Sequence, residues 1–497
     1  MSKPLTGGSA KSLASKGYGT SNPGPNESPR NEANDGHLHR QVSKEDEKIL
    51  ERRLRLKVDL RLCTIAGLLC SLNLLDSGVI SSASVTSMIA DLDLTGDRYS
   101  ISIFIFTIAS IAFQLPSTIA VRKLGPRVWF AFITISFGII TMCTALITSW
   151  KEMIALRILL GIAMSGIYPG LSYLISTWYL RREQQLRYAF LQSGQVIILA
   201  TGSIVNFGLN QLSGKGGLQG WRWMFLVQGL ITIVIGIATY FWIVDFPENA
   251  HRSLNFLTTE EQALAVSRIE KDRGDVQAEP FTWAKVLVHA QDPKIYGFAI
   301  LFFLQNTVST ALSYFLPIIL KAGMGFGENK SILLSSPPYY YAVLPVILTS
   351  FISDRFGVRG PIITFNCLCL IIGFAMLGFS NQVAVRYIGT FLATGAYVSN
   401  WAALTAFYQN NICGQWKRAF TAAVVTMLNG AGGIAGSFIV RHAEAPHYWT
   451  AIWISIGSHV LVIGLIAAFA ACFLVANKRQ KAGKVVLEGT EGFTYSY

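Results

Sequence analysis

Charge is scarce in this chain. Asp, Glu, Lys and Arg make up 14% of its 497 residues, against roughly 25% in soluble domains. Catalytic signatures are also missing. There is no His-Glu-x-x-His pair, no nucleophile elbow and no cluster of His with Asp, so an enzyme is not expected, nor a metal or other cofactor. The seven cysteines (63, 70, 143, 367, 369, 413 and 472) lie in or beside apolar runs. None has the spacing of a metal site or of a disulfide framework, and Cys367 and Cys369 read as buried packing. The first 50 residues hold no apolar stretch that could be a cleavable signal, so the first membrane helix is expected to target the chain.

What is abundant is apolar surface. Hydrophobic residues reach 52%, with 44 Gly and 11 Trp, a balance suited to membrane helices and their interfacial aromatic belts. Apolar runs of about 20 residues recur, each long enough to cross a bilayer. Approximate limits are 62–83, 99–121, 128–148, 153–176, 188–209, 223–244, 295–319, 332–352, 361–380, 385–407, 419–440 and 450–475. The expected fold is an all-α polytopic membrane protein with twelve transmembrane helices in two six-helix repeat bundles. The net charge of +13 does not point to nucleic acid, because the basic residues lie between the apolar runs. RKLGPR, LRREQQLR, SDRFGVR, QWKR and KRQK all fall on one side, which the positive-inside rule makes cytosolic, with both termini.

The expected organisation follows. Residues 1–45, rich in Gly, Ser, Pro and Asn, form a disordered cytosolic tail, and 46–61 a charged juxtamembrane segment. Bundles occupy 62–244 and 295–475, joined by a cytosolic linker over 245–294, and 476–497 form a second cytosolic tail. Within the linker, FLTTEEQALAVSRIEKD (256–272) reads as a surface helix opened by a capping box at Thr258 or Thr259.

The two halves echo each other. Arg157, Gly166 and Tyr168 recur with unchanged spacing as Arg386, Gly395 and Tyr397, 229 residues on. Leu115-Pro116 recurs as Leu344-Pro345 with that offset, and VRKLGPR (121–127) as SDRFGVR (353–359). Such duplication suits a transporter with its site between the halves near the midplane.

Spans 1, 4, 7 and 10 carry polar faces at helical spacing. Asn73 and Asp76 share an arc of span 1 with Ser77, Ser81 and Ser84; Arg157 and Tyr168 share one on span 4 with Ser165 and Ser172. Span 7 presents Gln305 and Asn306 with Ser309, Thr310 and Ser313; span 10 presents Arg386, Tyr397, Asn400, Trp401, Thr405 and Tyr408. Serine and threonine there serve equally well as helix–helix glue. A carboxylate in a span costs at least about 2.5 kcal/mol on insertion scales, so Asp76 needs a partner. Counting 1.5 Å per residue places Asp76 and Arg157 both roughly 9 Å below the outer edge. Two readings of the pair are open. It is a fixed salt bridge, or it is a switch in which a substrate carboxylate takes the arginine and frees Asp76 to accept a proton. Gly430, Gly432, Gly433 and Gly436 on span 11 read as close helix approach, and His459 on span 12 as packing.

A resemblance gathers these features. MIADLDLTGDRYS (88–100), QLPSTIAVRKLGPR (114–127), RILLGIAMSGIYPGLSYLISTWYLRREQQLR (157–187), GWRWMFLVQG (220–229), DFPENA (245–250), YFLP (314–317), PPYYYA (337–342), SDRFGVRG (353–360) and YQNNICGQWKR (408–418) resemble a fungal branch of the major facilitator superfamily, the allantoate permease-like anion:cation symporters. The resemblance covers most of 58–475 and implies alternating access, with a small organic anion moved alongside a proton. The chain departs from that pattern after Asp76, where Ser77 stands in place of the usual basic residue. The loop after span 2 has Arg122 where the second copy has Asp354. Arg122, Lys123, Arg127, Asp354, Arg355 and Arg359 are expected to gate the cytosolic side.

The expected activity is therefore proton-coupled uptake of a small, carboxylate-bearing substrate by a monomer in the lipid bilayer of the plasma membrane, or alternatively the vacuolar membrane. Export of a fungal secondary metabolite is the alternative activity. A nutrient sensor that signals without transport would be expected to carry a large tail domain, and the tails here are short. Asn329-Lys330-Ser331 is a glycosylation sequon in an expected outer loop, whereas Asn26-Glu27-Ser28 would be cytosolic and unused.

Overall fold

The structure is a computed structural model that describes residues 49–179, 181–252, 256–273, 288–412, 415–489 and 493–496. The chain divides into a short unit, Met1–Arg53, and a compact unit, Leu54–Tyr497. Residues 49–53 of the first are helical, and the tail expected to be disordered lies outside the described residues.

Nine helices among the described residues are long and apolar enough to cross a membrane, and Arg98–Gln114 and Phe420–Gly436 are shorter apolar ones. With the more polar Val383–Asn411 they make twelve, numbered here as their spans. They are α1 (Thr64–Ala83, after a π-turn at Asp59–Cys63), α2 (Arg98–Leu124), α3 (Pro126–Thr144), α4 (Trp150–Met164, resumed as Ile167–Trp178), α5 (Arg181–Asn210) and α6 (Gly220–Trp242). The second set is α7 (Pro293–Ile318, then a π-turn at Ile319–Gly323), α8 (Ser336–Phe356), α9 (Gly360–Phe379), α10 (Val383–Asn411), α11 (Gln415–Gly436) and α12 (Trp449–Lys481).

Local chemistry sets several of these limits. Gly125, at φ 84°, turns the chain out of α2, and Pro126 opens α3 where its missing N–H costs nothing. In the matching loop Gly357, at φ 67°, ends α8 in the left-handed cap that glycine adopts most easily. The linker helix Thr259–Arg273 is opened by Thr258. Glu261 N–H donates to the Thr258 hydroxyl at 3.3 Å and the Thr258 N–H donates to Glu261 at 3.1 Å, a reciprocal capping box. Lys57 then donates to both Glu261 oxygens at 2.6 and 2.9 Å, tying the linker to the start of the first half.

Helix pairing repeats with a period of six. In the first half α1 packs on α5, α2 on α4 and α3 on α6; in the second, α7 packs on α11, α8 on α10 and α9 on α12. Across the halves α2 meets α11 and α5 meets α8, again a symmetric exchange, while α1 meets α7. The duplicated glycines occupy matching places. A Cβ on Gly166 would lie 1.8 Å from Ser117 Oγ, beside Pro116, and one on Gly395 would lie 3.1 Å from Pro345 Cγ.

The two ends of the bundle differ. One, the basic end, carries Lys123, Arg355 and the linker helix. At the other, the halves are closed by hydrogen bonds. The Tyr99 hydroxyl donates to the Tyr314 carbonyl at 3.1 Å. Asn210 Nδ2 donates to Glu328 at 2.9 Å and to Asn329 Oδ1 at 2.8 Å. Ser336 donates to the Ala200 carbonyl at 2.8 Å, the Thr201 and Tyr340 hydroxyls are 2.8 Å apart, and Lys321 donates to the Val85 carbonyl.

After α12 the chain folds back over the basic end. There Asp292 and Glu488 share Lys417, at 2.7 and 2.6 Å, and Lys294 bonds Glu488. Burial opposes the charge on both carboxylates. Hydrogen bonds from Lys417 to Asp292, and from Lys294 and Lys417 to Glu488, outweigh it and hold both below the usual carboxylate range. Depressed values mean that the tie is fully present above about pH 4, the ordinary carboxylate value, and is lost as pH falls through the lowered ones. The protection of residues 493–496 against hydrogen exchange, corrected for the intrinsic rate at each pH, should accordingly hold from pH 7 to 5 and fall only under stronger acid.

Candidate functional site

Asp76 is 3% exposed and Arg157 is wholly buried. Arg157 Nη1 donates to Asp76 Oδ2 at 2.7 Å, and the guanidinium lies 5.9 Å from the Phe106 ring centroid. The pair is not saturated. Asp76 Oδ1 and Arg157 Nε and Nη2 have no hydrogen-bond partner among the described residues. A buried ion pair joined at a single point recovers little of its desolvation cost, so the unsatisfied atoms are chemically demanding. Two of them, Nε and Nη2, form the edge of guanidinium that accepts a carboxylate side-on. Asn73, one turn earlier on α1, is exposed, and Tyr168, beyond the break in α4 at Ser165-Gly166, is 56% exposed.

The second half presents amides in place of charges. Gln305 is fully buried; its Nε2 donates to the Tyr397 carbonyl at 2.9 Å and its Oε1 accepts from Asn400 Nδ2 at 3.0 Å. Asn400 Oδ1 is buried without a partner among the described residues. Asn306 Nδ2 donates to the Asn429 carbonyl at 2.7 Å, and Trp401 Nε1 reaches Ser309 at 3.4 Å. Asn306, Ser309 and Trp401 are only half-buried. Gln305, Tyr397 and Asn400 thus knit α7 to α10, and Asn306 and Trp401 keep an accessible side.

Arg386 stands elsewhere. Its Nε donates to the Leu377 carbonyl at 2.9 Å, Nη2 to the Pro446 carbonyl at 3.1 Å, and Nη1 to that of Gly323. Although spaced like Arg157, it binds no carboxylate among these contacts. It ties the closed-end termini of α7 and α9 to the loop before α12. Arg386→Ala should lower stability by about 2 kcal/mol or more, since three carbonyls lose a charged donor, and leave the substrate KM near wild type; thermal unfolding and transport kinetics read the two effects.

The profile of the Major Facilitator Superfamily matches residues 66–437. The chain belongs to the major facilitator superfamily. It is accordingly a multi-pass membrane protein of a family of secondary transporters, and not an enzyme. It is 30% identical over 441 residues to the MFS-type transporter cnsO of Penicillium expansum, covering 87% of this chain and 85% of that one. It is 27% identical over 435 residues to the high-affinity nicotinic acid transporter of Saccharomyces cerevisiae, covering 87% and 80%. The partially occluded, inward-open xylose transporter XylE of E. coli superposes with a TM-score of 0.64 at 16% identity, over 83% of this chain and 99% of that one.

Within this transporter, the described residues expected to gate stand in different surroundings. Arg127 Nε donates to the Tyr240 carbonyl at 2.7 Å and its guanidinium sits 4.4 Å from that ring, so it caps the end of α6. Arg359 is buried and donates to the Ser353 hydroxyl at 2.8 Å. Lys123 and Arg355 are exposed. The side chains of Arg122 and Asp354 lie outside the described residues. The sequon has a structural occupation. Asn329 sits in the helix Glu328–Leu334 and accepts from Asn210, while Ser331 is fully buried with its hydroxyl on the Gly327 carbonyl at 3.0 Å. Asn329 itself is exposed, beside the closed contact.

The bonds that close the molecule escaped the sequence reading. Tyr99, Asn210, Ser336 and Lys321 act on residues far along the chain, mostly through backbone carbonyls. Lys321 alone left a trace, as a basic residue at an end of the bundle where the positive-inside pattern expects few.

Proposed function

We propose that this transporter moves a small organic anion together with a proton by alternating access, as a member of the allantoate permease-like branch. The observation that carries this is the Asp76–Arg157 pair, buried at a single 2.7 Å contact with three polar atoms left over. A substrate carboxylate taking the unpartnered edge of Arg157 would weaken its hold on Asp76, which then accepts a proton, so anion and proton travel together. In this reading Asn73 and Tyr168 serve the charged side, and Asn306 and Trp401 serve the substrate from the second half, on a frame built by Gln305, Tyr397 and Asn400. The nicotinic acid transporter among the relatives supports a carboxylate-bearing substrate. The basic end faces the cytosol on the positive-inside rule, so the state closed at the opposite end is cytosol-facing, and the plasma membrane is the proposed location.

The test is uptake of labelled small carboxylates, nicotinate first, into proteoliposomes across an imposed pH gradient. Wild type should accumulate substrate when the lumen is alkaline, and Asp76→Asn should lose the response to the gradient. If the variant keeps both rate and gradient response, proton coupling at Asp76 has to be abandoned.

A further inference from the structure

The residues after α12 are not part of any membrane span, yet they make some of the most specific contacts in the molecule. Glu488 is 3% exposed at its side chain, set between Lys294 at the first turn of α7 and Lys417 at the first turn of α11. The first turns of two helices therefore reach one carboxylate through their lysines. Tyr495 adds a second anchor. Its hydroxyl donates to Glu488 at 2.7 Å, its ring stacks on Phe473 of α12 at 4.4 Å, and its backbone exchanges bonds of 2.9 Å with Asn477. Ser496 does the same with Asn411 at the end of α10, its N–H donating at 2.8 Å and its carbonyl accepting at 3.0 Å. Glu488 is held at φ 53°, a left-handed conformation that a residue with a Cβ adopts only when its surroundings impose it.

We propose that the basic face formed by α7, α10, α11 and α12 is a docking surface for this segment, and that docking biases the transporter toward the state closed at the opposite end. The anchors are ion pairs, side-chain amides and one stacked ring, which is the chemistry of a reversible peptide site more than of a sealed core. The lever is geometric. α7 spans 26 residues, about 39 Å at 1.5 Å per residue, and its far end carries the Tyr314 and Lys321 contacts that close the halves. α11 likewise leads to Phe438, whose ring meets Phe104 of α2 edge-on at 5.5 Å. Fixing the near ends of α7 and α11 together sets the tilt of the helices that make the closure.

The experiment uses the full chain with Glu488→Lys and with the charges of the cluster inverted throughout, Glu488→Lys combined with Asp292→Lys, Lys294→Glu and Lys417→Glu. Hydrogen exchange of residues 493–496 reads docking. Spin labels at Lys215 and Lys330, exposed residues on the two halves at the closed end, read closure. The single variant should exchange at least tenfold faster and shift the distance distribution to longer values; the charge swap should restore both. Unchanged exchange in the single variant, or faster exchange with unchanged distances, overturns the proposal. If the single variant does not fold, Tyr495→Phe, which removes only the hydroxyl from the cluster, is judged by the same two readouts. Neither needs a substrate, so the outcome is separate from that of the anion and proton reading.

Discussion

Replacing Arg157 by alanine is expected to cost about 3–5 kcal/mol of stability, because it leaves Asp76 as an uncompensated charge inside the bundle. Asp76 is 3% exposed, and its one described hydrogen bond is the 2.7 Å bond from Arg157. Asp76→Asn should cost less, since a neutral amide still accepts through its oxygen, but Arg157 is then the buried ion. The informative variant is Asp76→Asn with Arg157→Ala. Removing both charges eliminates the desolvation that either single change exposes, so the double variant should recover part of the loss. A double-mutant cycle on thermal unfolding in one detergent measures the coupling. Additive effects would mean that the two groups do not interact as drawn. Transport should be absent in all three, since each lacks the carboxylate, the guanidinium or both.

That pair was legible because both partners are side chains and both are rare in spans. A count of residues from the predicted span ends brought Asp76 and Arg157 to one depth, and opposite charge suggested the rest. The same reasoning did not reach the contacts of Arg386. Its spacing to Gly395 and Tyr397 copies that of Arg157, but its partners are the carbonyls of Gly323, Leu377 and Pro446, and every residue has a carbonyl. Sequence distinguishes side chains and is silent on which backbone group is left over at a helix end. The closing bonds of Tyr99 to Tyr314 and Ser336 to Ala200 were hidden for the same reason. Turn chemistry was more open to reading. Gly125 and Gly357 marked the two duplicated loops, and the linker helix had to begin at Thr258 or Thr259. The choice of Thr258 rests on Glu261, three residues on, which Lys57 also holds. The duplication also agrees with the repeated order of helix packing, since a repeated sequence buries its apolar faces in a repeated way.

Gly432→Val should be the most damaging change on α11 and cost about 3 kcal/mol or more, at the upper end of overpacking effects. A Cβ at Gly432 would come within 2.3 Å of the Phe303 carbonyl oxygen, and one at Gly436 within 2.4 Å of the Thr307 carbonyl oxygen. Both obstacles are backbone of α7, which cannot rotate aside as a side chain could. The Gly-x-x-x-Gly spacing lets two helices approach at their main chains, the arrangement that replaces hydrophobic driving force inside lipid. Forcing them apart also lengthens the 2.7 Å bond from Asn306 to the Asn429 carbonyl. The damage should therefore reach the candidate site, raising KM in any protein that survives. Gly464→Val on α12 is the matched control, because a Cβ there meets nothing within 4 Å. Helix propensity favours valine over glycine at such an open position, so the control should unfold at or above the wild-type temperature. Equal melting temperatures for the two variants would show that the α7–α11 approach is looser than drawn. A Gly432→Val protein with normal stability but raised KM would instead place the whole effect at Asn306.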